Sequence, residues 1–329
     1  MSAVEKLARL RRLSRICDPQ GSIRAAAIDH PETFAILFDR DLSRVSHEEV
    51  VRSKLELIEA MAPHCSALLL DPPTAWGPAV LTGAVPGGVG TISGLEALYY
   101  QPEGGDFEPR LRLREGWAPE ELVTLGVDVA KLVVFHRADD DPAETVDRVA
   151  DVVRRCHAVN LPLVVEPLWY WKPGESPTDP DRVRRRTESV IAATRLFKQT
   201  GADIMKVEFP VDLDRAEPAE AEDACARLHE AADGPWVLLS AGVTFDGFVP
   251  QLEMATRAGA SGYMAGRAIW GDGVGRHDAA RRAEGARVAV ERLQRLNAIV
   301  AASPHPAYAR ADHASAVDLG EDWFRQVTS

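Results

Sequence analysis

Eight times along the chain a short apolar run precedes a longer stretch of helical spacing, and this alternation restricts the fold more than any other feature. The clear runs are 23–28 (IRAAAI), 67–70 (ALLL), 129–135 (VAKLVVF), 161–166 (LPLVVE), 203–209 (DIMKVEF), 236–240 (WVLLS) and 261–265 (SGYMA). One more, without sharp bounds, falls between Gly88 and Tyr100. Helical spacing covers 48–61, with Ser46 as its cap, then 142–159, 180–201, 217–232, 248–258 and 278–302. Strands this continuously apolar belong to a parallel sheet covered by helices. Their number predicts a closed (β/α)8 barrel, the TIM barrel. A doubly wound open sheet would carry a G-x-G-x-x-G loop after the first strand, and none follows it. No linker or internal repeat divides the chain, and the glycine-rich stretch 83–94 reads as a barrel loop. Residues 1–329 are therefore expected to form one domain with its barrel core at about 22–302. An amphipathic helix would precede the barrel, and the extension 303–329 would pack across it or at a subunit contact.

A formal charge of −12 argues against nucleic-acid or anionic-membrane partners, so an anionic substrate needs a local cationic pocket. The four cysteines are scattered and read as reduced packing residues. No apolar run approaches the ~20 residues of a membrane span, and the charged N-terminus lacks a signal core. A cytoplasmic protein is expected.

In such a barrel the chemistry gathers at the C-terminal ends of the strands. Lysine occurs at six positions, and Lys206 stands between Ile204, Met205, Val207 and Phe209. Burial there disfavours the ammonium form and yields the neutral amine that imine chemistry requires. A structural lysine paired with Glu208 or Glu166 is the bland alternative. Lys131 lies in the fourth strand, and alternate strands fill common layers, so it can face Lys206. Glu166 ends the fifth strand between them, as proton carrier or as charge-balancing partner. Asp29 ends the first strand, either as a proton carrier or as a turn cap. Ser240 and Gly242 (LSAGV) and Gly266 and Arg267 (AGRAIW) follow the last two strands. Small residues there let backbone N–H groups approach a phosphate, and the Arg267 fork complements its oxygens. His136 and Asp71 are further strand-end candidates for substrate contact. Trp76, Trp169, Tyr170 and Trp171 could line the pocket mouth, and the arginine run 182–186 reads as a solvated helix face.

Taken together, the segments AAAIDH, ALLLDP, VAKLVVFHRADDD with CHAVNLPLVVEP, GADIMKVEFPV, and PWVLLSAGV through AGASGYMAGRAIW carry a resemblance. Over 23–270 the chain resembles the class I aldolases that include tagatose-1,6-bisphosphate aldolase and sulfofructosephosphate aldolase. The latter branch looks closer, through FHRADDD, VVEP and the PWVLLS-to-GRAIW stretch. The resemblance implies an aldehyde-lyase that splits a phosphorylated ketose, of the tagatose-1,6-bisphosphate or 6-deoxy-6-sulfofructose-1-phosphate kind. The products would be dihydroxyacetone phosphate and an aldehyde. It implies a covalent imine on Lys206 with no other cofactor and no metal, Lys131 near the imine, and Glu166 as acid and base. It further implies that Ser240, Gly242, Gly266 and Arg267 hold the phosphate, and that the protein is a homo-oligomer.

One departure bears on the substrate. The family's first strand ends in D-Q-R, whereas Asp29 here is followed by His30 and Pro31. Without that arginine the aldehyde half is expected to lack a second anionic group or to bind it through another residue such as Arg137. Two other readings stay open: a metal-dependent lyase or isomerase using Asp29, His30, Asp71 and Glu166, and a non-catalytic sensor of sugar phosphates.

Overall fold

The computed structural model describes residues 3–97, 111–170, 182–275 and 278–309, together with 319, 322 and 323. In chain order the elements are α1 (Ala3–Arg15), β1 (Ile23–Ile28), α2 (Pro31–Ala35), α3 (His47–Met61), β2 (Ala67–Leu70), α4 (Gly77–Thr82) and β3 (Gly90–Gly94). There follow α5 (Pro119–Leu125), β4 (Val129–Phe135), α6 (Ala143–Ala158), β5 (Leu163–Leu168), α7 (Arg182–Lys198), β6 (Ile204–Val207) and α8 (Pro218–Ala232). The last are β7 (Trp236–Leu238), α9 (Phe245–Ala258), β8 (Gly262–Ala265), α10 (Arg267–Trp270) and α11 (Ala279–Ala302). Each strand pairs in parallel with the next and β8 returns to β1, closing a (β/α)8 TIM barrel.

Local chemistry sets the boundaries. Ser46 Oγ accepts from Glu49 N at 3.2 Å while the Glu49 carboxylate accepts from Ser46 N at 3.1 Å, a reciprocal cap that opens α3. Thr244 Oγ1 accepts from Gly247 N at 3.2 Å, so α9 starts at Phe245, ahead of the apolar period at 248. Leu161 N donates back to Cys156 O at 2.9 Å and closes the turn after α6. Consequently β5 starts at Leu163 and runs past Glu166 to Leu168. The run without clear bounds is β3, GTISG, whose small residues give no apolar signal. Gly90 must be small, because a Cβ there would lie 2.4 Å from Arg15 O.

Side chains alternate across each strand. Leu132, Val134, Val165 and Met205 face the helices, whereas Ala27, Val129, Val164 and Ile204 meet inside the barrel. Two residues onward along the same inward rows stand Asp29, Lys131, Glu166 and Lys206. An ionic layer therefore caps an apolar one. The opposite end is closed by α1, where Arg12 Nη1 donates to Val127 O at 2.7 Å and Arg15 Nη1 to Gly87 O at 2.8 Å. Ala307, from the extension, packs at that end too, its N–H donating to Gly21 O at 2.9 Å. Among the described residues no helix is long and apolar enough to cross a membrane.

Asp71, expected to touch substrate, is committed to the scaffold instead. Its carboxylate is ion-paired with Lys54 of α3 and accepts from Thr74 N at 2.8 Å and Thr74 Oγ1 at 2.7 Å. It thereby caps the turn Pro72–Trp76. Both partners are buried, and burial lowers the Lys54 ammonium from its ordinary value against the opposing pull of Asp71. Removing one partner of such a pair strands the other charge. Lys54→Met is expected to cost about 3–5 kcal/mol in urea unfolding. A cost below about 1 kcal/mol would mean that the Thr74 bonds alone suffice for Asp71.

Candidate active site

At the C-terminal mouth of the barrel, Lys131 Nζ donates to Asp29 Oδ2 at 2.9 Å and to Glu96 Oε1 at 2.6 Å. It also lies 3.0 Å from Glu166 Oε2. Lys206 Nζ lies 2.9 Å from the other Glu166 oxygen, Oε1. Glu166 thus bridges the two lysines, and Asp29, Lys131, Glu166 and Lys206 form one cluster. Burial works against the Lys131 charge, but Asp29, Glu166 and Glu96 outweigh it and hold its ammonium well above the usual lysine range. Burial likewise tends to raise Asp29 and Glu166, yet Lys131 and further cations keep both carboxyls below their ordinary values. Lys131 is accordingly a fixed cation and both carboxyls are ionised at neutral pH.

A cavity of about 210 Å³ opens onto Lys206 and Glu166 and continues to Ser240, Gly242, Gly266 and Arg267. Gly242 has φ +80°, and a Cβ on it would lie 3.2 Å from Arg267 Nη2. Ala241 before it also has a positive φ of 45°, a conformation that costs about 1–3 kcal/mol in a residue with a side chain. A Cβ on Gly266 would lie 2.7 Å from Ala27 O. Trp270 Nε1 donates to the same Ala27 carbonyl at 3.0 Å, tying α10 to β1. This end of the cavity offers exposed backbone beside one exposed guanidinium. A larger cleft of about 430 Å³, between Asp272 and α11, has no lysine among its described lining residues.

His30 lines the cavity beside Gly266 and meets Trp270 edge-on, with ring centroids 5.9 Å apart. Its Nδ1 approaches Asp29 Oδ1 to 3.3 Å, too far off line for a hydrogen bond, and neither atom has a hydrogen-bond partner among the described residues. Although 29% of the side chain is exposed, desolvation is the largest influence on it. With help from Lys206, Arg267 and Lys131, and against Asp29, it lowers the imidazole to about 4. His30 is therefore neutral near pH 7.

His136, expected to bind substrate, does not line this cavity. Lys131 faces inward, so His136, on the opposite parity, faces out and meets Phe197 edge-on at 5.5 Å. Arg137 is also held away, with Nη1 donating to Tyr170 O at 3.0 Å and Nε to Asp139 at 2.9 Å. Its guanidinium stacks on Trp169 and Tyr170. Trp169 lines the cavity, Trp76 packs on Trp117 elsewhere, and Trp171 lies outside the described residues. Arg186 does not simply face solvent: it lies 3.3 Å from Glu208, whose other oxygen accepts from Trp169 N at 2.8 Å. Glu96 was not among the expected site residues. Its signal was weak, a single glutamate after a strand of small residues.

Comparison with known proteins identifies the family. The family model described as DeoC/LacD family aldolase matches residues 37–272. Tagatose 1,6-diphosphate aldolase 1 of Enterococcus faecalis is 28% identical over 281 residues, covering 80% of this chain and 84% of its own. Tagatose 1,6-diphosphate aldolase 2 of Streptococcus mutans is 26% identical over 283 residues, with the same coverage of 80% and 84%. These relatives lend the sulfofructosephosphate branch no particular support. Among solved structures, a Schiff-base-forming fructose-1,6-bisphosphate aldolase superposes with a TM-score of 0.58 at 19% identity, covering 87% of this chain and 98% of its own. The fructose-bisphosphate aldolase of Plasmodium falciparum gives a TM-score of 0.68 at 13% identity, covering 95% and 98%. At such identities the likeness is one of fold. The match of the family model over most of the chain settles the rest: this protein belongs to the DeoC/LacD family of aldolases and is an aldehyde-lyase.

Proposed function

We propose that the protein is a class I aldolase that cleaves a phosphorylated ketose to dihydroxyacetone phosphate and an aldehyde through an imine on Lys206. The observation that carries this reading is the pairing of Lys206 Nζ with Glu166 Oε1 at 2.9 Å inside a cavity that also contains Arg267. The relatives named for tagatose 1,6-diphosphate support a phosphorylated ketose as the substrate class.

In this reading Lys206 passes a proton to Glu166 and its free amine attacks the C2 carbonyl. The carbinolamine loses water, with Glu166 returning the proton to the departing hydroxyl. The protonated imine then draws the electrons of the C3–C4 bond. As that bond breaks, the C4 hydroxyl gives its proton to Glu166, the aldehyde leaves, and an enamine remains. Protonation at C3 and hydrolysis release dihydroxyacetone phosphate and restore Lys206. Asp29, on the other side of Lys131, is the alternative proton carrier. Lys131 remains charged throughout and opposes a second cation on Lys206 before attack. Ser240, Gly242 and Gly266 offer the phosphate their polar groups, and Arg267 its fork.

A metal-dependent mechanism on the same barrel would need Asp29, His30, Asp71 and Glu166 to converge. Asp71 is instead engaged with Lys54, and the Lys131 ammonium stands against both Asp29 and Glu166. This favours the imine. Borohydride reduction in the presence of dihydroxyacetone phosphate, followed by peptide mass mapping, is expected to leave a covalent adduct on Lys206 that Lys206→Ala lacks. Binding of dihydroxyacetone phosphate with no adduct at any lysine would favour a non-catalytic sensor, and an adduct on Lys131 would reverse the lysine roles. Glu166→Gln is expected to lower kcat by roughly 10²–10⁴-fold, the usual contribution of a positioned acid–base group. Arg267→Ala should raise KM by about 10–100-fold, from the loss of charged hydrogen bonds worth ~1.5–3 kcal/mol. An unchanged KM in steady-state assays would move the phosphate elsewhere.

A further inference from the structure

Glu96 has no part in the chemistry above, yet it is the nearest carboxylate to Lys131. It follows β3 on a short antiparallel bridge to the segment at Leu113, where Ala97 N donates to Arg112 O at 2.9 Å and Arg114 N to Leu95 O at 2.8 Å. From there the side chain folds back into the barrel mouth and is buried. Oε1 accepts from Lys131 Nζ at 2.6 Å, and Oε2 accepts from Val133 N at 3.3 Å. The path is open because residue 94 is glycine: a Cβ there would lie 2.8 Å from Glu96 Oε1.

The charged groups around Lys131 come from four sides: Asp29 at the end of β1, Glu96 after β3, Glu166 in β5, and Lys206 of β6 across Glu166. They do not share it equally. Lys131 forms hydrogen bonds with Glu96 and Asp29, whereas its 3.0 Å approach to Glu166 Oε2 is off line, and that oxygen has no hydrogen-bond partner among the described residues. A full hydrogen bond from an ammonium favours the ionised form of a carboxyl, so a carboxylate without one on its second oxygen is the better base at its first. Were Glu96 absent, the ammonium would lose its closest acceptor, and Glu166 Oε2, 3.0 Å away, is an unsatisfied oxygen within reach.

We propose that Glu96 is a positioning residue, which anchors Lys131 from the β3 side so that the ammonium does not close fully onto Glu166 Oε2, and Glu166 stays basic enough to take the substrate proton on Oε1, the oxygen beside Lys206. The proposal deepens the imine reading and rests on it. The step it governs can be followed with dihydroxyacetone phosphate alone. In the iminium on Lys206, Glu166 removes a proton from C3. The C–H electron pair becomes the enamine double bond, and the iminium π pair moves onto nitrogen. Reversal in D2O places deuterium on C3.

Two variants test the role, each assayed by deuterium exchange into dihydroxyacetone phosphate and by borohydride trapping. Glu96→Gln removes the charge, while Gly94→Ala keeps it and pushes the carboxylate aside. Both are expected to lower the maximal exchange rate on the order of tenfold. The half-saturating concentration and the adduct on Lys206 should remain as in the wild type. A purely structural glutamate would lower Tm and leave that split unmoved. Should Glu96→Gln fail to fold, Gly94→Ala decides alone. Exchange at the wild-type rate in the folded variants overturns the proposal, as does loss of trapping in parallel with exchange. A wild-type protein that takes no adduct on Lys206 overturns the imine reading instead, and is recognised before either variant is made.

Discussion

The ammonium of Lys131 is the charge on which the barrel mouth depends. Three carboxylates, from Asp29, Glu96 and Glu166, lie within 3.0 Å of it. Without a cation between them they would repel one another in a region that water reaches poorly, and some would hold a proton rather than a charge. With Lys131 in place Asp29 and Glu166 stay ionised. In the proposed mechanism a proton passed from Lys206 to Glu166 would move within the cluster and leave its net charge unchanged.

The fold was largely legible because a parallel barrel strand is buried on both faces and so writes itself as an unbroken apolar run. That rule located β1, β2 and β4 at their observed bounds and failed at β3, where GTISG packs through the absence of side chains rather than their presence. The ionic cluster at the mouth was legible for a related reason. A charged residue two positions beyond an inward apolar one breaks the pattern at a place where burial is costly. Lys131 after Val129, Glu166 after Val164 and Lys206 after Ile204 all do so. His136 is expected at the cavity from its place at a strand end, whereas the same alternation puts it on the helical side against Phe197. Asp71 and Glu96 were harder. Asp71 is claimed by Lys54, from the preceding helix, and Glu96 reaches the site only through an antiparallel bridge and a missing Cβ at residue 94. Neither is encoded in local spacing.

The two ends of the cavity differ in kind. Toward β7 and β8 it is made of exposed backbone, with Ala241 and Gly242 both at positive φ and Arg267 as the exposed charge. Strain at Ala241 is tolerated where a phosphate would gain from the N–H groups that the turn exposes. Toward β5 and β6 the wall is Leu168, Trp169 and Glu208, with Glu208 already engaged by Arg186. Apolar surface and a satisfied carboxylate suit a hydroxylated, less charged part of a ligand.

His30 connects these ends. Desolvation, added to by the nearby charges of Lys206 and Arg267, lowers its imidazole to about 4. A protonated imidazole here would compete with Arg267 for the phosphate and would oppose an iminium forming on Lys206. A neutral ring does neither, and its Nδ1, unpaired beside Asp29, can give or take one hydrogen bond as the ligand requires. Desolvation, reinforced by the cations of the site, thus keeps this histidine neutral.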